Sequence, residues 1–325
     1  MIAQGGVFPG DALVSACVHG RVSTRMDSFC PLPCTMSVVR IVSYNIHKGL
    51  SALGKRESVQ ELRLGLHGLR ADLAFLQEVQ GRNDRSGTLH EQHQMLAAAL
   101  RLEAAYGRNA VYRHTDHGNA LLSRFPILSH QNQDISDHRL EQRGLLHACV
   151  AIGRHEVHCF VVHLGLFAGS RTRQVAALVS RIEEAVPPGA PILIAGDFND
   201  WNNVLSDILV RRLEVHEVFA TAPRGNNVEL PRLRDSVRML GKVLRGGEAT
   251  PWRLRATLAS PPKLGMGNEL LAPRPPRTFP AIFPWLRLDR IYQRGFSVRQ
   301  ASVLYGRPWT RLSDHAPLLA ELELP

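Results

Sequence analysis

The stretch Ile192-Leu-Ile-Ala-Gly-Asp-Phe-Asn-Asp200 is an apolar run that ends in a glycine and closely spaced polar residues. Asp197 and Asn199 are two positions apart, so in an extended chain their side chains project from the same face. A carboxylate and an amide at a strand end are oxygen ligands that suit Mg²⁺, and the amide can equally hold a water or a phosphate oxygen. An Asx-rich turn fits the same residues. The stretch therefore predicts a buried strand and leaves its chemistry open.

Composition limits the class of protein. The chain has 325 residues, of which 44% are hydrophobic, which is enough for one large domain or two small ones. The net charge of +10 favours an anionic partner, such as nucleic acid, a phosphorylated metabolite or a lipid headgroup, although solubility alone gives the same sign. No apolar run approaches the ~18 residues of a membrane span, and no secretory signal is visible. We expect a cytoplasmic protein, with a monomer as the default.

Two segments differ from the rest of the chain. Residues 1–36 show no sustained periodicity and predict a disordered tail, and Met36 is a possible true start. Residues 222–277 hold eight prolines, with eleven Lys or Arg against four Asp or Glu, and predict a basic, Pro-rich insertion with a helix near 234–244. The remainder of 37–325 predicts one folded domain. The odd number of cysteines, five, argues against a disulfide framework.

The periodicity of the remaining chain predicts a mixed α/β pattern without a regular βαβ repeat. Apolar or alternating runs predict strands at 38–46, 72–79, 118–122, 126–128, 144–152, 156–164, 192–200, 286–292 and 318–322. Helical patterns occur at 58–69, 92–105, 170–186 and 202–212, with Ser170 as a plausible N-cap.

Polar residues able to handle protons or metal lie in or at the edges of six of these apolar segments. They are Asn45, Glu78, His163, Asp197 with Asn199, Asp289, and Asp314 with His315. Each is ordinary by itself, because a strand-end Glu is frequent and a lone histidine is more often structural than catalytic. Together they predict one rim at which the strand ends converge.

Six segments, in order along the chain, resemble the endonuclease/exonuclease/phosphatase family of DNase I-like proteins. They are Ile41-Val-Ser-Tyr-Asn-Ile, Phe75-Leu-Gln-Glu-Val, Val162-His-Leu, Gly196-Asp-Phe-Asn, Arg287-Leu-Asp-Arg-Ile and Ser313-Asp-His-Ala-Pro. His163 with Arg171 and Gln174 is similar to bacterial members. The resemblance implies a four-layer α/β sandwich, in which two mainly antiparallel, mixed β-sheets are flanked by helices.

The resemblance also implies roles for the rim residues. Glu78 would be the principal ligand of a divalent metal, usually Mg²⁺ with Mn²⁺ as an alternative, and Asn45 and Asp314 would lie beside it. Asp197 and Asn199 would orient the attacking water and the phosphate. Asp289 and His315 would form an acid–base or phosphate-binding pair, and His163 would be a second phosphate contact or a proton donor.

The expected function is hydrolysis of a phosphodiester by metal-assisted attack of water, as in a nuclease. The alternatives are the same site acting on a phospholipid headgroup or a small phosphorylated molecule, and an inactive member that binds nucleic acid or lipid. The residue that acts as general base stays open, as does the role of Trp201, which can stack a base or pack against the fold.

Overall fold

The computed structural model of the protein describes residues 37–138, 141–223 and 275–325. The predicted tail at 1–36 and nearly all of the predicted insertion at 222–277, with its helix near 234–244, lie outside the described residues. Among the helices that are described, none is long and apolar enough to cross a membrane.

The described strands form two sheets of six strands each. In spatial order, the first sheet contains β11 (Ser297–Val303), β12 (Leu318–Leu324), β1 (Ser37–Asn45), β2 (Leu73–Asn83), β4 (Thr115–Ser123) and β3 (Glu103–Val111). The second contains β5 (Ile127–Asp134), β6 (Gly144–Ile152), β7 (His155–His163), β8 (Ile192–Asp197), β10 (Asp289–Arg294) and β9 (His216–Glu217). Within these two sheets β1 pairs in parallel with β2, and β7 with β8, while the other pairs are antiparallel.

Helices cover the outer faces of both sheets. The described α-helices are α1 (Val59–Leu69), α2 (Gln92–Leu100), α3 (Ala168–Ala185), α4 (Ser206–Leu213), α5 (Val218–Thr221) and α6 (Trp309–Leu312). Apolar side chains of α1, α2 and α6 pack on the first sheet, and those of α3 and α4 pack on the second. A third apolar cluster lies between the sheets. These layers confirm the predicted four-layer sandwich.

The stretch Ile192–Asp200 contains the central strand β8, and every residue of β8 is buried. Leu193 and Ala195 belong to the apolar cluster between the sheets, whereas Ile192 and Ile194 pack under the outer helices. Because both faces of β8 are covered, its sequence is a continuous apolar run instead of an alternating one.

Two local predictions were wrong. The helix predicted at 92–105 ends at Leu100, because Arg101 adopts a left-handed conformation (φ +58°) and the chain turns into β3, which the sequence did not predict. Ser170 does not cap α3, which begins two residues earlier, and its hydroxyl instead donates to Oδ2 of Asp137 at 2.7 Å.

Gly196 allows β7 and β8 to approach closely just before the polar residues of the rim. Its φ is +151°, and a Cβ at this position would lie 1.9 Å from the carbonyl oxygen of Val162. That oxygen belongs to the neighbouring strand and cannot rotate away, so any side chain here would separate the two strands.

We therefore expect Gly196→Ala to lower the free energy of unfolding by about 2–4 kcal/mol, through backbone strain and loss of strand pairing. The matched control is Gly189→Ala, where φ is also positive (+76°) but no atom lies within 4 Å of the added Cβ. Its cost should be only about 1 kcal/mol. Urea unfolding of both variants measures the difference, and equal losses would contradict the role of the Val162 contact.

A histidine pair lies on the outer face of the second sheet. Nε2 of His147 is 3.0 Å from Nδ1 of His158, and the His147 ring stacks on Phe160 with centroids 4.2 Å apart. Burial, with the added effect of His158 and of Arg181, lowers the pKa of His147 to about 4. Burial also lowers the pKa of His158. The pair is therefore stable in its neutral form.

This pair should make the fold sensitive to acid. The pKa of His147 is lower in the folded chain than the value of about 6.5 expected when unfolded, so the unfolded chain binds more protons as the pH falls below 6.5. The contribution of neutral His147 to the free energy of unfolding is thus fully present above pH 6.5 and is lost as the pH falls towards 4. His147→Gln should remove about 1–2 kcal/mol of that decrease, measured by urea unfolding at several pH values. Exposed His216→Gln is the control, and an unchanged pH slope in His147→Gln would refute the assignment.

Candidate active site

The strand pairing brings the polar strand ends to one rim. The parallel partner of Asn45 is Gln77, the residue before Glu78, and the parallel partner of His163 is Asp197. In the antiparallel pairing of β10 with β8, Asp289 at the start of β10 also lies opposite Asp197. In the first sheet, the C-terminal end of β1 lies beside Gln77 in the middle of β2 and beside the N-terminal end of β12. In the second sheet, the C-terminal ends of β7 and β8 lie beside the N-terminal end of β10. The hydrogen bond between Asn45 and Asp197 joins the two groups.

Asp197 lies at the centre of this rim and is almost fully buried. Its Oδ2 accepts a hydrogen bond from Nδ2 of Asn45 at 3.2 Å, and it lies 3.6 Å from Nε2 of His163 and 3.6 Å from Nε2 of His315. Oδ1 accepts from the backbone N–H of Asn199 at 3.0 Å. Burial raises the pKa of Asp197 above its ordinary value, and His315 only partly offsets that effect.

Asp289 and His315 form a buried pair. Nδ1 of His315 is 2.9 Å from Oδ2 of Asp289, and both side chains are at least nine-tenths buried. Burial alone would lower the pKa of His315, but the charges of Asp289 and Asp197 overcome it and raise the pKa to about 10. The imidazole is therefore cationic at neutral pH. Oδ1 of Asp289 has no hydrogen-bond partner among the described residues.

His163 has the opposite electrostatics. Its ring is also buried, but among the described residues no carboxylate is hydrogen-bonded to it as Asp289 is to His315. Burial, reinforced by the charge of Arg143, places the pKa of His163 well below its ordinary value. His163 is therefore neutral at physiological pH and faces Asp197 as an uncharged imidazole.

A local irregularity of β2 presents Glu78 to the rim. Pairing of β2 with β4 shifts register between Leu76 and Val79, and Glu78 has φ +54°, as expected of a bulge that redirects a side chain. The ammonium of Lys48 contacts Oε2 of Glu78 at 2.9 Å. Burial of this carboxylate acts to raise its pKa, but His163 and Lys48 together hold it well below the usual range. Because His163 is neutral, we attribute the shift mainly to Lys48.

His47 and Ser313 connect Asn45 with Asp314. Oδ1 of Asn45 accepts the backbone N–H of His47 at 3.1 Å, and Nδ1 of His47 lies 3.7 Å from Oδ1 of Asp314. The hydroxyl of Ser313 donates to the backbone carbonyl of Asn45 at 2.7 Å. The predicted trio of Asn45, Glu78 and Asp314 thus lies along one side of the rim, linked by His47 and Lys48.

Two sets of side chains can hold a cation. Among the described residues, ligand atoms of Asp197, Asp289 and His315 lie within 4.8 Å of one another. In that set, however, Nδ1 of His315 is already committed to Asp289. Glu78 is a partly buried carboxylate whose contact with the Lys48 ammonium shows that its site accommodates a positive charge, and its oxygens match the hard ligands of Mg²⁺.

Loop contacts account for Asn199, Arg171 and Gln174. Nδ2 of Asn199 donates to the carbonyl of Leu164 at 2.9 Å, and Oε1 of Gln174 accepts from the N–H of Gly165 at 2.7 Å. Arg171 donates to the carbonyl of Leu166, and its guanidinium lies 4.9 Å from the centre of the Trp201 ring. These three polar side chains fix the loops after β7 and β8, and Trp201 is partly packed by Arg171.

Sequence reasoning missed Lys48 and His117. Lys48 immediately follows the Asn45-Ile-His segment, and this position was the available signal. His117 lies within β4 and interacts electrostatically with Glu78 and Lys48. Burial lowers its pKa to about 4. Its role depends on the pairing of β2 with β4, for which a single histidine gives no local signal.

The comparisons with known proteins identify the family of the chain. The model of the Endonuclease/Exonuclease/phosphatase family matches residues 42–315.

The chain belongs to this family.

Within the endonuclease/exonuclease/phosphatase family, the chain is 34% identical over 294 residues to the uncharacterized protein YbhP of Escherichia coli K12, covering 88% of this chain and 96% of that protein. Its fold is similar to an endonuclease/exonuclease/phosphatase structure from Beutenbergia cavernae, with a TM-score of 0.62, 15% identity, and coverage of 88% of this chain and 72% of the other. It is also similar to D. rerio TDP2 complexed with a single-strand DNA product, with a TM-score of 0.57, 17% identity, and coverage of 88% and 99%.

Proposed function

We propose that the protein is a monomeric, cytoplasmic, metal-dependent phosphodiesterase that hydrolyses its substrate with an activated water. The observation that carries this proposal is the position of the Asp197 carboxylate, which lies within 3.6 Å of two histidines that differ in charge and accepts a hydrogen bond from Asn45. A buried carboxylate between imidazoles at an open rim is an arrangement suited to proton transfer beside an anionic group.

Glu78, with Asn45 and Asp314 beside it, would hold the divalent cation, for which Mg²⁺ is the best match and Mn²⁺ the alternative. When bound, the cation neutralises the negative charge of the phosphate and so lowers the barrier to attack by water. Lys48 balances the Glu78 charge at 2.9 Å, and a bound cation would compete with its ammonium for the same carboxylate.

The protein side chains divide the remaining work by charge. His315, kept cationic by Asp289, attracts a phosphate oxygen, and the buried Asp197 accepts a proton from the water. His163 is neutral and faces Asp197, so it can bind the phosphate or pass a proton to the leaving oxygen. Asn199 holds the loop after β8 through Leu164 and keeps Asp197 in place through its backbone N–H.

The substrate is proposed as a phosphodiester. TDP2, a structural neighbour, is described in complex with single-strand DNA product, which supports a nucleic acid as one candidate. A phospholipid headgroup or a small phosphorylated molecule fits the same centre, because these substrates differ in the groups around the phosphate and not in the phosphate itself.

Isosteric changes at the centre should abolish hydrolysis while the fold is retained. Glu78→Gln, Asp197→Asn and His315→Gln should each lower turnover of bis(p-nitrophenyl) phosphate in Mg²⁺ by about 10²–10⁴-fold, through loss of charge or proton transfer. Circular dichroism checks the fold. Glu183→Gln and His216→Gln, on the surface, are matched controls that should keep the parental rate. Near-parental rates in all three site variants would remove the assignment.

Metal binding tests the Glu78 site without relying on activity. In calorimetric titration with Mg²⁺ and no substrate, Glu78→Gln should weaken binding by at least about tenfold, because the principal oxygen ligand loses its charge. Lys48→Met should strengthen binding, because a competing ammonium is removed. Lys55→Met, in the same loop but exposed, is the control. If Asp289→Asn abolished binding while Glu78→Gln left it unchanged, the cation would belong to Asp197, Asp289 and His315 instead.

A further inference from the structure

The exposed Phe and Trp side chains of the described residues are concentrated beside the candidate active site, whereas exposed Tyr112 lies in the turn between β3 and β4. Among the described residues, every Phe and Trp with a large exposed fraction lies in a loop that begins or ends at a strand carrying a rim residue. They are Phe167, Trp201, Phe283 and Trp285, with 64%, 42%, 45% and 56% of their surface exposed. Exposed apolar groups that cluster on one face mark an interaction surface.

Three loops carry these residues, a fourth carries exposed Leu53, and all four adjoin strands of the site along the chain. Loop 50–58 follows Asn45 at the end of β1, loop 164–167 follows His163, loop 200–205 follows the Asp197–Asn199 turn, and segment 277–288 precedes Asp289. The last segment is also attached to the site directly. The N–H of Ala281 donates to the carbonyl of Asp314 at 2.6 Å, and the Phe279 ring lies 5.0 Å from that of His315.

Aliphatic side chains are exposed in the same loops. Leu53, Leu166, Val204 and Ile282 have 71%, 56%, 67% and 63% of their surface exposed. We call the eight side chains in these loops the apolar rim: Leu53, Leu166, Phe167, Trp201, Val204, Ile282, Phe283 and Trp285. Bases of a nucleic acid stack on aromatic rings, but exposed Leu, Val and Ile offer them no such platform. The aliphatic half of the apolar rim therefore favours a hydrocarbon partner.

The exposed charges in the loops of the apolar rim are mainly positive. Lys55, Arg56 and Arg277 are exposed there, and Arg56 also forms an ion pair with Glu61 of α1. The exposed acid there, Glu57, accepts hydrogen bonds from Ser86 and Thr88. Apolar side chains with Trp and Phe among them, bordered by Lys and Arg, match the interface of an anionic bilayer, where rings sit at headgroup depth and cations meet lipid phosphates. The apolar rim is divided among four separate loops, and this arrangement also suits a broad, deformable surface.

We propose that the apolar rim docks on an anionic phospholipid surface, with the catalytic cleft facing the headgroups. The inference of docking depends only on the exposed side chains and the charges of the apolar rim. The further step, that the diester hydrolysed is one presented by that surface, rests on the proposed function and names its substrate class.

Vesicle sedimentation of the full chain in EDTA tests docking independently of catalysis. Vesicles of phosphatidylcholine mixed equally with phosphatidylglycerol should carry the protein down, and pure phosphatidylcholine vesicles should carry much less. The triple variant Phe167→Ser, Ile282→Ser, Trp285→Ser should bind the mixed vesicles at least about tenfold more weakly. The reason is that three apolar side chains that would be buried in the bilayer on docking are removed. The matched control is Leu64→Ser with Leu128→Ser, which are equally exposed on α1 and β5 away from the four loops and should bind like the parent.

Hydrolysis then tests the substrate class. With Mg²⁺, the ratio of turnover on vesicle phospholipid to turnover on bis(p-nitrophenyl) phosphate should fall in the triple variant and stay constant in the control. Equal vesicle binding by parent and triple variant, or none by the parent, would overturn the docking. Loss of single-stranded DNA binding in the triple variant without vesicle binding by the parent would assign the apolar rim to nucleic acid instead. Docking without any hydrolysis would sustain this inference and refute the proposed function.

Discussion

One hydrogen bond joins the two halves of the candidate site. Nδ2 of Asn45, at the end of a strand in the first sheet, donates to Oδ2 of Asp197, at the end of a strand in the second, at 3.2 Å. Both side chains are buried, and a buried polar group without a partner costs about 1–3 kcal/mol. The site can therefore form only when the apolar cluster between the sheets holds these two strand ends in contact. Nδ2 of Asn119 makes a second such link, from β4 to the carbonyls of Gly144 and Val161.

Four of the nine described non-glycine residues with positive φ lie at the same edge. They are His47, Lys48, Glu78 and Asn199, and this conformation costs residues other than glycine free energy and persists only where the surroundings enforce it. The strand β8 behind the rim is buried along its whole length, and it supplies the rigid support that this strain needs. The bulge at Glu78 shows the benefit, since it directs a carboxylate towards Lys48 from within a strand that otherwise alternates its side chains.

The four layers were implied by the resemblance of six segments to the family, whereas most strands and the eight polar residues of the rim were predicted from local signals. A strand reveals itself by its own apolar run, and Asp197 and Asn199 stand next to theirs. The failures have a common cause in contacts distant along the chain. The helix predicted at 92–105 included the first three residues of β3, because the Ala-rich start of that strand continues the preceding helical pattern, and it is pairing with β4 that makes it a strand. His117 gains its position by β2–β4 pairing, and Asn45 meets a partner 152 residues away.

The two rim histidines show how one buried charge distinguishes two equally buried side chains. His163 and His315 are both buried, and Nε2 of each is 3.6 Å from the same oxygen of Asp197. Burial disfavours the charged form of both rings, yet the pKa of His163 is lowered and that of His315 is raised. The difference lies on the far side of the rings, where Nδ1 of His315 meets Asp289 at 2.9 Å. The strand β10 thus determines, through a single carboxylate, which imidazole is a fixed cation for an anionic substrate and which is a neutral group. A pair of identical residues acquires two roles because only one of them is backed by a charge, and that backing is present only because β10 pairs beside β8.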